Sequence, residues 1–119
     1  MPPVFTKTLV IAMIFVGEGL SIYAELLGAH HHAVHGEGFF PIFLRMFGVI
    51  AIAGAFLIGG YMLGYLSFRN IWIISVMSLT AILVMEPIIS FAIFHQWPTR
   101  GAWVGLAFGI VGLISTLTL

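Results

Sequence analysis

The chain contains no cysteine, which excludes disulfides, thiolate chemistry and cysteine-held metals. Charge is almost as scarce: four Lys and Arg with four Asp and Glu make up 7% of the 119 residues. A soluble domain carries about a quarter charged residues, so too few are present to coat a water-facing surface. A soluble enzyme and a disordered tail are thereby excluded. A nucleic-acid partner is excluded as well, because no basic patch exists to neutralise phosphates. The formal net charge is zero with the histidines neutral, which predicts no electrostatic partner. No nucleophile triad, phosphate loop or dinucleotide fingerprint is present, and the GEG triplets at Gly17–Gly19 and Gly36–Gly38 are not phosphate motifs. No enzyme and no cofactor are expected.

What the chain does have is apolar surface, 61% of its residues, which suffices for four spans of roughly 20 residues each. The runs are continuous rather than alternating, which argues against an outer-membrane barrel. The expectation is an all-α integral membrane protein of the bacterial inner (cytoplasmic) membrane. Its four transmembrane helices form one compact bundle, a single domain over residues 1–119. The spans are placed at about 6–28, 42–66, 70–94 and 101–119. The first apolar stretch exceeds the roughly 7–15 residues of a signal-peptide core, so it reads as a retained helix. His30–Pro41 is expected to be a polar loop, closed by Phe39 and Phe40 at the membrane interface. The turn Ser67–Asn70 is short enough to force the second and third spans into antiparallel contact, with Asn70 as helix cap. Trp72 and Trp97 would bracket the third span as interface anchors.

Glycine is patterned. Gly101, Gly105 and Gly109 recur every four residues and Gly112 follows, while Gly60 and Gly64 form another such pair. Residues four apart share a helix face, where missing side chains let two helices approach backbone to backbone. The stripe on the last span is read as a packing face, within one subunit or between two. The basic residues are evenly divided. Lys7 and Arg69 belong to one side of the membrane, and Arg45 and Arg100 to the other. The positive-inside rule therefore assigns no orientation, which is also what a chain inserted both ways would show.

Three of the four acids fall inside spans. A carboxylate in hydrocarbon is a functional hypothesis unless it is paired, protonated or wet. Glu18 lies roughly ten residues into the first span, about 15 Å along it and near mid-membrane. Gly17 and Gly19 leave room beside it for a ligand or another helix. Low dielectric favours the protonated form, so Glu18 is the candidate for taking up and releasing protons. Glu25, seven residues on, shares its face but lies near the surface, where a solvated helix-end carboxylate is the simpler reading. His32 falls seven further, and Glu18, Glu25 and His32 would form a vertical proton line. Glu86 precedes Pro87, whose missing donor kinks a helix, so the pair marks a hinge at a site or a packed bend. A salt bridge from Glu86 to Arg45 or Arg100 is a further possibility. Glu18, Glu25 and Glu86 are thus the candidate substrate- and proton-binding residues. His30, His31, His32 and His35 with Glu37 offer metal-ligating atoms, but neighbours in sequence point apart and no second ligand group follows. No metal site is assigned, with His30, His32 and His35 as the weak candidates. His95 is read as a headgroup-facing residue.

With these features the chain resembles the drug/metabolite transporter superfamily. Leu83–Ser115, with Met85-Glu86-Pro87 and the seven-residue interval from Gly105 to Gly112, looks like the closing half of an EamA-type repeat. The overall size and Glu18 within IFVGEGLSIYAE look like the small multidrug resistance branch. In that branch a first-helix Glu is the shared proton and substrate site of an antiparallel homodimer. His95-Gln96-Trp97 stands where the EamA turn carries an acid. Tyr61, Tyr65 and Trp72 are the candidates for the aromatic set around the Glu. The resemblance implies a proton-coupled transporter that exports or flips a small cationic or polar metabolite or lipid. Glu18 would then be the shared site and the Gly101–Gly112 face the homodimer contact. The alternative is a non-transporting accessory subunit of a larger membrane complex. The partners expected are membrane lipid, a small-molecule substrate, and a second copy or the other chains of such a complex.

Overall fold

A computed structural model describes residues 3–119. Each apolar run forms one unbroken helix, because a backbone in lipid must satisfy its own hydrogen bonds. The order is α1 (Pro3–Val34), α2 (Phe39–Phe68), α3 (Ile71–Phe94) and α4 (Arg100–Thr118), with no strand among the described residues. All four are long and apolar enough to cross a membrane, and they pack as a bundle. Hydroxyls inside the helices are mostly turned back onto them. Thr8, Thr80, Ser115, Thr116 and Thr118 each donate to the carbonyl four residues earlier.

The helix ends follow local chemistry. Asn70 caps α3 as expected, its Oδ1 accepting from Trp72 N at 3.0 Å. Thr99 does the same for α4, accepting from Ala102 N at 3.1 Å. α2 and α3 stop on left-handed residues that are not glycine, Arg69 (φ 58°) and His95 (φ 56°). Their N–H groups close back onto Tyr65 O and Phe91 O.

The first connection departs from expectation. α1 runs through His30, His31 and His32 to Val34, leaving only residues 35–38 as the link. Nothing in that stretch breaks a helix until Gly36, which takes φ +69°. At 1.5 Å per residue the 32 residues of α1 span about 48 Å, longer than a bilayer core of about 30 Å. The histidine-bearing turns are the end of that overlong helix.

α1 is the centre of the bundle. It lies antiparallel to α2 in one continuous register, in which Gly64 meets Val10, Gly60 meets Ile14, Gly17 meets Ala53 and Leu57, and Gly28 meets Met46. It lies alongside α3 through Gly19 against Met85 and through His30 against Phe94. The closest packing is at Gly17, where an added methyl would come within 2.7 Å of Leu57 Cγ. The fully buried side chains Val10, Ile14 and Ile74 form the core, joined by Tyr61, Leu63, Phe68 and Met77. That core sits toward the end bearing the N-terminus and the second connection, where Lys7 Nζ lies 5.3 Å from the centre of the Phe68 ring.

α4 stands apart. It packs on α3 alone, has no buried residue, and meets α3 through Gly109 against Leu83. The expected packing stripe is therefore divided. Gly60 and Gly64 do pack inside the chain, whereas a methyl at Gly105 or Gly112 would touch nothing and one at Gly101 only Thr99. As packing within the subunit, the reading of the α4 stripe is corrected to Gly109 alone. Gly101 and Gly112 face outward, while Gly105 borders open space between α3 and α4.

Candidate functional site

Glu18 occupies the middle of α1, fifteen residues from its start and sixteen from its end. It is half-buried, and its Oε1 accepts a hydrogen bond from Ser78 Oγ on α3. Ser78 is one of the few buried polar side chains, at 6% exposure. Unlike the hydroxyls that bond their own helix, it reaches across to another one. The space beside the carboxylate is filled by protein, since Gly17 receives α2 and Gly19 receives Met85 of α3. Both glycines therefore serve helix approach. The sequence does not distinguish Ser78, because a hydroxyl in an apolar helix is its only signal and Ser75 and Thr80 carry it equally.

Glu18 also marks a change in packing along the bundle. On one side lies the Val10–Ile14–Ile74 core. On the other the helices part into two clefts. The first, about 270 Å³ between α1 and α2, is lined by Glu25, His32, Phe39, Phe43 and Met46 among others. The second, about 660 Å³ between α3 and α4, is lined by Glu86, Pro87, Ser90, Phe91, Trp97 and Gly105 among others. Glu18 lines neither cleft. The vertical line is accordingly split: Glu25 and His32 share the first cleft, while Glu18 turns to α3. Glu86 belongs to the second.

Tyr61 packs against the core, and Tyr65 and Trp72 are exposed. Trp72 and Trp97, each 72% exposed, sit at opposite ends of α3 as interface anchors would.

The histidine segment forms an ordered network of its own. His31 Nδ1 donates to Glu37 Oε2 at 2.5 Å, and Arg45 donates to Glu37 Oε1 at 2.9 Å. His32 Nδ1 donates to the Glu37 carbonyl at 2.7 Å. The His31 hydrogen bond and the Arg45 guanidinium hold the Glu37 carboxyl below its ordinary range. Arg45 is thus committed to Glu37 rather than to Glu86, and neither Arg45 nor Arg100 pairs with Glu86. The rings of His30, His31 and His35 lie 5.1–6.3 Å apart, and His30 also meets Phe94 edge-on. Among the described residues no group of three His, Asp or Glu is arranged to hold a metal ion, His30, His32 and His35 included. His95, exposed at the end of α3, stacks edge-on against Phe91.

Comparisons with protein families, curated proteins and solved structures find nothing that matches the chain.

Proposed function

We propose that the chain is a small proton-coupled transporter of the bacterial inner membrane, acting as a dimer and moving a small cationic or polar metabolite or lipid. The observation that carries this reading is the Glu18 carboxylate. It sits at the midpoint of the central helix, held by Ser78, where the sealed end of the bundle gives way to the clefted end. A carboxylate at that depth is costly to leave ionised and unpaired, so it is stable either protonated or paired with a cation. Proton and substrate competing for one such group produce exchange, because an occupied site crosses readily and an empty charge does not. The even split of Lys7 and Arg69 against Arg45 and Arg100 fits a chain inserted in both orientations. The outward-facing glycines of α4 fit a contact with a second copy. Replacing Glu18 by Gln is expected to abolish pH-driven uptake in proteoliposomes while the fold survives, and unchanged uptake would refute the mechanism.

One observation favours an accessory subunit instead: Glu18 lines neither cleft, and a helix as uncovered as α4 also suits assembly with other chains. Isolation in mild detergent separates the two readings. A dimer supports the transporter, and a stable complex with unrelated chains supports the subunit.

A further inference from the structure

Glu86 is an exposed carboxylate within an apolar helix, eight residues and so about 12 Å inside the end of α3. It has no hydrogen bond or ion pair among the described residues, since Arg45 is taken by Glu37 and Arg100 pairs with nothing. It is also the one charged side chain lining the α3–α4 cleft. The other walls supply aromatic faces: the Phe91 and Trp97 rings lie 4.8 Å apart, tilted by 50°. Ser90, Gln96 and Thr99 add neutral polar side chains to the same lining.

We propose that this cleft binds an organic monocation with an apolar body, its charge at Glu86 and its body against Phe91 and Trp97. Each part of the lining argues for that class. An unpaired carboxylate in hydrocarbon selects a cation, and no basic side chain is present to take an anion. Glu86 is the single carboxylate, and the neutral side-chain oxygens of Ser90, Gln96 and Thr99 bring the set to five, short of the six or more oxygens an inorganic divalent ion takes. Aromatic faces attract ammonium groups and accept apolar bodies together. A cleft of about 660 Å³ lies within the range of small-molecule pockets, and it lies between two helices long and apolar enough to cross a membrane. The site is separate from Glu18 and stands whether or not the chain transports.

The test is equilibrium dialysis of the purified full chain in detergent against benzyltriethylammonium, with its uncharged all-carbon isostere as competitor. Saturable binding is expected, weakened at least tenfold by Glu86→Gln and left unchanged by Gly48→Ala, a position that lines neither cleft and has nothing within 4 Å. The isostere is expected not to compete. Phe91→Ala with Trp97→Ala provides a second variant away from the acid, also expected to bind about tenfold more weakly. Circular dichroism confirms that each variant is folded. Wild-type affinity in folded Glu86→Gln, loss of binding in Gly48→Ala, or equal competition by the isostere would each overturn the proposal; the last would mean an apolar cleft filled by lipid.

Discussion

Glu18 and the serine that holds it are separated by sixty residues, and only the way α1 turns toward α3 brings them together. Counting from the start of the apolar run was enough to put Glu18 near the middle of its helix. Its partner depended on helix rotation, to which a uniformly apolar α3 gives no clue. Glu86 was legible as an acid beside a proline, but its lack of a basic partner was not, because Arg45 is drawn away by Glu37 across the first connection. That connection makes a prediction at the same scale. The Glu37 carboxyl is held below its ordinary value of 4.5 by His31 first and Arg45 second. A carboxyl whose folded pKa is lowered contributes stability that is present above its unfolded value and lost as pH falls through the lowered one. Carboxyl-carbon NMR is expected to show Glu37 titrating below 4.5, and Arg45→Met is expected to raise its midpoint toward that value. An unmoved midpoint would show that Arg45 plays no part.

At the scale of the helix, the small residues of α2 do unequal work. A methyl at Gly64 would meet Ile74 Cγ1 at 3.0 Å and Val10 Cγ1 at 3.1 Å, two fully buried side chains from different helices. Gly48, on the same helix, has nothing within 4 Å. Gly64→Ala is therefore expected to cost about 1–3 kcal/mol by overpacking, whereas Gly48→Ala should stay within about 0.5 kcal/mol. Thermal unfolding in detergent compares them, and equal losses would contradict the register described for α1 and α2. The four spans were readable because continuous apolar runs of this length admit only helices in lipid. The end of α1 was not, because four histidines resemble a polar loop in composition while lacking anything that stops a helix. Gly36, not the histidines, ends it. The glycine stripe of α4 was equally visible, but spacing alone cannot say whether the surface opposite is this chain or another.

For the whole molecule, the lopsided packing is the main feature: three helices enclose a core and the fourth leans on one of them. If α4 meets a second copy through its outward glycines, Gly112→Ile should convert dimer to monomer without lowering the unfolding temperature, since that position touches nothing within the chain and lines neither cleft. Analytical ultracentrifugation in detergent reads this, and a variant that remains dimeric would place the contact elsewhere. The same lopsidedness puts both clefts and all five histidines toward the end bearing the first and third connections, away from the core. Glu18 stands at the border between the core and the clefted end. The most direct test is uptake of a panel of small organic cations into proteoliposomes under an imposed pH gradient, comparing the intact chain with Glu18→Gln. The account predicts gradient-driven accumulation by the intact chain and none by the variant, with circular dichroism unchanged. Equal accumulation by both would contradict it.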